Sequence, residues 1–141
     1  FGGHPVATAV AVANMTAMRE ESLLDHVLGT ESHFSQRLDS LAESHRCIRE
    51  IRGAGFFYAI DLCADREGGV ELSSPQEVGL QSGVLGDFIR EARTTVRPDD
   101  RGYTGLSVSP PLIADGAVIE DLTSRIDQIL DRVDTWLDQN H

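Results

Sequence analysis

The sequence predicts an α+β fold: a small, mainly antiparallel sheet of about four strands, covered by helices on one face. Apolar residues recur at steps of three and four in the first third of the chain, around Phe88 and again near the end. Between those stretches the period drops to two, and clusters rich in glycine, serine or proline separate one period from the next. The elements do not alternate strand–helix–strand, which argues against a parallel sheet.

Pro5 suits the first position of a helix, where its missing N–H has no partner in any case. Residues 6–18 follow, apolar nearly all round, as in a helix buried by a larger protein. From Glu20 the pattern becomes amphipathic: Leu24, Val27, Leu28, Phe34, Leu38 and Leu41 form one stripe of a second, long helix, with Gly29 as a point where it can bend. After Arg46 the spacing predicts strands over 47–52 and 56–63, joined through Gly53-Ala54-Gly55. In the second strand Phe56, Tyr58, Ile60 and Leu62 share one face; Phe57, Ala59 and Asp61 share the other.

Residues 64–83, with Gly68-Gly69 and Ser73-Ser74-Pro75, read as a loop and a mobile insertion. A helix is expected over 84–92, then a strand over 94–97 that Pro98 breaks. A last strand over 106–109 ends at Pro110-Pro111, which removes two backbone donors in succession. Asp115 caps a closing helix whose apolar stripe runs through Ile119, Leu122, Ile126, Ile129, Val133 and Trp136.

A formal net charge of −11, from 12 basic and 23 acidic residues, repels a phosphate backbone, so nucleic acid is not an expected partner. No apolar run approaches membrane-spanning length, and the expected location is cytoplasmic. Cys47 and Cys63 lack CxxC spacing and read as buried thiols. The chain begins Phe1-Gly2-Gly3-His4-Pro5 without a methionine, so a preceding segment is expected. All twelve basic residues are arginine, and a guanidinium stays protonated, so no side chain here forms an imine with a carbonyl.

Gly53-Ala54-Gly55 fails as a dinucleotide fingerprint: Tyr58 occupies the third glycine position, and the segment enters a strand. No GxSxG, P-loop or HExxH motif occurs, and the five histidines read as surface or capping residues. Two features point to ligands. Gly2-Gly3 precedes a helix N-terminus, where backbone N–H groups and the helix dipole favour an anion such as phosphate. Arg97 sits at a strand end beside a proline, where a guanidinium can hold a carboxylate through two parallel hydrogen bonds. A surface ion pair is the competing reading for Arg97, as for Arg52 and Arg101.

Three segments together resemble a known family. Phe1-Gly2-Gly3-His4-Pro5-Val6-Ala7 is similar to the GHP segment of class-III aminotransferases, Ile51-Arg52-Gly53-Ala54-Gly55-Phe56 to their RGxGL strand pair, and Ser109-Pro110-Pro111-Leu112 to their late PPL motif. The resemblance implies a fold-type-I enzyme dependent on pyridoxal 5'-phosphate, working as a homodimer on a small amine or amino acid and an oxo acid. This chain would then be its C-terminal part, with residues 1–45 leading in from a large domain and 46–141 forming the small domain. The lysine that carries the cofactor would lie upstream, leaving no catalytic residue in this chain and the fragment inactive alone. Phe1 and Gly2 would lie near the cofactor phosphate of the neighbouring subunit, and Arg97, in Val96-Arg97-Pro98, would bind a substrate carboxylate. Two departures stand out. Ser107 occupies the position where ornithine-type members carry an arginine, and the stretch from Pro98 to Thr104 is longer than the family's pattern. The alternatives are an aminomutase or decarboxylase of the same family, or a stand-alone α+β module that binds a small anion or dimerises.

Overall fold

The structure, a computed structural model, describes residues 2–140. The helices are α1 (Pro5–Glu20), α2 (Leu23–Ser44), α3 (Ser74–Gly79), α4 (Leu85–Glu91) and α5 (Gly116–Gln139); the strands are β1 (Ile48–Ala54), β2 (Phe57–Leu62), β3 (Arg97–Asp99) and β4 (Gly105–Val108). The strands form one antiparallel sheet in the order β1-β2-β4-β3, so β1 and β3 are its edges. The expected α+β layout is therefore what the chain adopts.

One face of the sheet is core. Ile60, Leu62, Leu106 and Val108 pack there against Phe34 and Leu38 of α2 and Ile126, Ile129 and Val133 of α5, all essentially without exposure. This is the face read from the alternation of Tyr58, Ile60 and Leu62. Phe34 meets Phe56 and Tyr58 edge-on, with ring centroids 5.9 and 5.2 Å apart. The hairpin between β1 and β2 turns at Gly55-Phe56, one step later than expected. Gly55 takes φ 60°, and its N–H donates to Glu31 of α2 at 2.7 Å, fixing the hairpin tip to the helix.

Four expectations shift. The break in the N-terminal helices falls at Glu21–Ser22, where Ser22 has φ 51°, and α2 runs unbroken through Gly29. The stretch read as a loop is half helical: Gln76 reaches back to the Ser73 N–H at 2.8 Å and starts α3, which continues through a π-type turn (Leu80–Val84) into α4. The strand expected over 94–97 begins at Arg97 instead, because the Thr94 N–H still closes the end of α4 on the Ile89 carbonyl. Pro98 lies inside β3 rather than ending it, which an edge strand tolerates since its outer donors need no partner.

His45 departs from the surface reading. It ends α2 as a cap residue, yet it is buried at 3% exposure between α2 and α5. Its Nδ1 lies 3.0 Å from Asp134 and its Nε2 2.9 Å from Asp127. Hydrogen bonding to Asp134 holds its pKa above the usual histidine value; burial opposes the shift, and Asp127 adds to it. Cys47 and Cys63 are buried and unpaired with each other, as expected of packed thiols.

Candidate functional site

The open face of the sheet is ordered in rows set by the strand registers. Arg52 pairs with Ala59, Ala59 with Ser107 and Ser107 with Arg97, which places these four residues in one line across the sheet. In the next line stand Glu50, Asp61, Gly105 and Asp99. Cross-strand partners project to the same side. An arginine therefore ends the first row at each edge, and carboxylates flank a central glycine in the second.

Gly105 is the one position in that second row with no room for a side chain. A Cβ there would sit 2.2 Å from the Ile60 carbonyl oxygen and 3.0 Å from the Tyr103 ring. Tyr103 in turn lies under Arg52, whose guanidinium carbon is 4.7 Å from the ring centroid.

Both aspartates of the row are buried, Asp61 at 6% and Asp99 at 4% exposure, although they lie on the open face. Arg52 covers Asp61 with an ion pair to Oδ2, and Oδ1 of Asp61 has no hydrogen-bond partner among the described residues. Asp99 is held from the β3–β4 loop. Its Oδ1 accepts from the Arg101 backbone N–H (3.1 Å) and Nε (2.9 Å), and its Oδ2 accepts from Arg101 Nη2 (2.6 Å) and the Ser107 hydroxyl (3.0 Å). The Arg101 guanidinium holds the Asp99 carboxyl well below the usual carboxylate range; the Arg101 N–H and the Ser107 hydroxyl act in the same direction.

Arg97 is exposed on β3 and makes no ion pair or side-chain hydrogen bond among the described residues. Gly2 is exposed in the turn before α1, a helix with no buried residue and no side-chain cap at His4. Phe1 lies outside the described residues. No hydrogen bond or strand pairing brings Gly2 and Arg97 together among the described residues. Arg52 and Arg101 are in ion pairs, one of the two readings open to them. Sequence reasoning passed over Asp61, Asp99 and Tyr103; the one local signal was the Asp99-x-Arg101 spacing beside the candidate Arg97.

The residues present do not suffice for a carbonyl cofactor, since the chain has no lysine to hold it. No described helix is long and apolar enough to cross a membrane, and no cluster of metal-ligating residues occurs among the described residues.

The family model for aminotransferase class-III matches residues 1–130. A probable aminotransferase of Mycobacterium tuberculosis is 34% identical over 114 residues, 81% of this chain and 24% of that protein. An ethanolamine-phosphate phospho-lyase homolog of Caenorhabditis elegans is 30% identical over 131 residues, 92% of this chain and 27% of that protein. An omega transaminase of Pseudomonas jessenii, solved in complex with PMP, superposes with a TM-score of 0.80 at 28% identity, over 99% of this chain and 29% of that one. The chain thus spans under a third of the length of the proteins it matches. Sequence match and shared fold agree over nearly every residue, and the chain belongs to the class-III aminotransferase family.

Proposed function

We propose that this chain is the C-terminal part of an enzyme that moves an amino group from an amine or amino acid to an oxo acid, and that Arg97 receives the substrate carboxylate. The observation that carries the assignment of Arg97 is its isolation. Most of the chain's arginines are tied into ion pairs, whereas this one projects from an edge strand and forms none among the described residues. An exposed guanidinium left without a partner is available for a bidentate bond to a substrate carboxylate.

Pyridoxal phosphate, when bound, supplies the electron sink for the reaction. Residues outside this chain hold it covalently. Within the chain, the N–H groups of Gly2 and Gly3 before α1 offer donors to the phosphate of a neighbouring subunit's cofactor. Residues 1–45 lead in from the large domain, and the exposed apolar side chains of α1, among them Val6, Val10 and Met15, suit burial against it. A soluble homodimer in the cytoplasm is part of the same reading. The likeness to a phospho-lyase homolog favours one second reading, a different reaction on the same cofactor.

In the full-length enzyme, Arg97→Ala is expected to raise KM for pyruvate by about 10- to 100-fold, the size of a lost charge-assisted bond, and to leave KM for an uncharged aldehyde nearly unchanged. Equal effects on both acceptors would reject the role. Accumulation of ammonia or phosphate in place of an aminated acceptor would favour the second reading.

A further inference from the structure

We infer that Arg101 is a positioning residue: by occupying Asp99 it keeps Arg97 available to the substrate carboxylate. The inference rests on the reading of Arg97 above and adds what protects it.

Arg97 and Asp99 lie two apart on one strand, so they share a face. An arginine spans that separation on this same sheet, since Arg52 Nη1 reaches Glu50 at 3.5 Å across the same two-residue step on β1. Arg101 does so as well, reaching Asp99 from the other side. Asp99 is therefore within range of two guanidiniums, and it is bound to one of them.

The hydrogen-bond inventory of Asp99 explains the choice. A carboxylate has about four acceptor sites. Arg101 fills three of them, through its backbone N–H, Nε and Nη2, and the Ser107 hydroxyl fills the fourth. Ser107 is the cross-strand neighbour of Arg97, and its hydroxyl donates to Asp99 Oδ2. Nothing is left on Asp99 for Arg97 to take. Without the Arg101 side chain, a buried carboxylate with two empty sites would lie beside an unpaired guanidinium, and burial makes such a carboxylate costly until it finds a cation. Arg97 is the nearest cation on its strand.

The test uses the full-length enzyme loaded with pyridoxal phosphate. A crystal structure of Arg101→Ala reads the rearrangement without reference to substrate: Arg97 turned onto Asp99 supports the inference, and Arg97 still directed to solvent overturns it. Kinetics then read the consequence. Arg101→Ala is expected to raise KM for pyruvate by ~10-fold, one charge-assisted bond, with kcat and the uncharged aldehyde little changed. Adding Asp99→Asn should restore KM, because the competing charge is gone, and Arg101→Lys should restore it in part. A rise in KM that Asp99→Asn does not relieve marks a merely structural role and overturns the inference. If Arg97 does turn onto Asp99 while KM for pyruvate stays unchanged, Arg97 is not the carboxylate site; the positioning of the side chain stands and its use in catalysis falls.

Discussion

Arg52 and Arg97 end the same cross-strand row at opposite edges of one sheet, and each has a buried aspartate in the next row. Their fates differ. Arg52 is bound to Asp61 and stacked on Tyr103; Arg97 is bound to nothing among the described residues, because a loop arginine has satisfied Asp99 first. The acceptors differ in the same way, one oxygen of Asp61 lacking a partner among the described residues and every site on Asp99 being filled. A guanidinium's availability is thus set by how completely its neighbouring carboxylate is satisfied, rather than by the guanidinium's own exposure.

The largest effect is expected where the two halves of the face join. Gly105 separates Asp61 from Asp99, and any Cβ there meets the Ile60 backbone. Gly105→Val should destabilise the full-length protein by about 3 kcal/mol, the upper end for overpacking, read as a lower denaturation midpoint. Unchanged stability would mean that β2 and β4 separate without cost, and the row geometry would fail. Next comes a direct contrast between the two arginines. Arg52→Ala should leave KM for pyruvate within about twofold, since its partner is internal, and should lower the denaturation midpoint, because the buried Asp61 loses its cation. A loss of pyruvate affinity matching that of Arg97→Ala would erase the distinction drawn here.

The sheet was legible because alternation and turn residues are local signals. Tyr58, Ile60 and Leu62 declared the core face, and Pro110-Pro111 the end of the last strand. The role proposed for Arg97 came only from motif resemblance, since one arginine before a proline has two physical readings. What stayed hidden was non-local. Asp61 and Asp99 become buried through cover from Arg52 and from a loop, and His45 meets Asp127 and Asp134 more than 80 positions away. The helical half of 64–83 was missed for a different reason: its start depends on one glutamine bonding back to Ser73, inside a composition typical of loops.

His45 is the control for this comparison, a buried imidazole pinned on both sides, and it carries the smallest expected effect. Asp134 raises its pKa above the ordinary 6.5, with Asp127 assisting and Asp131 and Arg46 also nearby. A raised folded-state value means that the folded form binds the proton more tightly than the unfolded chain. The stabilisation is then complete below pH 6.5 and fades as pH rises through the folded-state value. Asp99 has the opposite sign: its depressed pKa gives stabilisation that is present above the ordinary 3.8 and lost as pH falls below it. Denaturation midpoints measured from pH 6 to 9 should therefore decline for the parent protein, and His45→Gln, which keeps a neutral donor at a cost of about 1 kcal/mol, should flatten that decline. Parallel slopes for parent and variant would show that the imidazole does not hold its proton in the folded state. The two carboxylates on α5 would then no longer count as satisfied in the sense that Asp99 is.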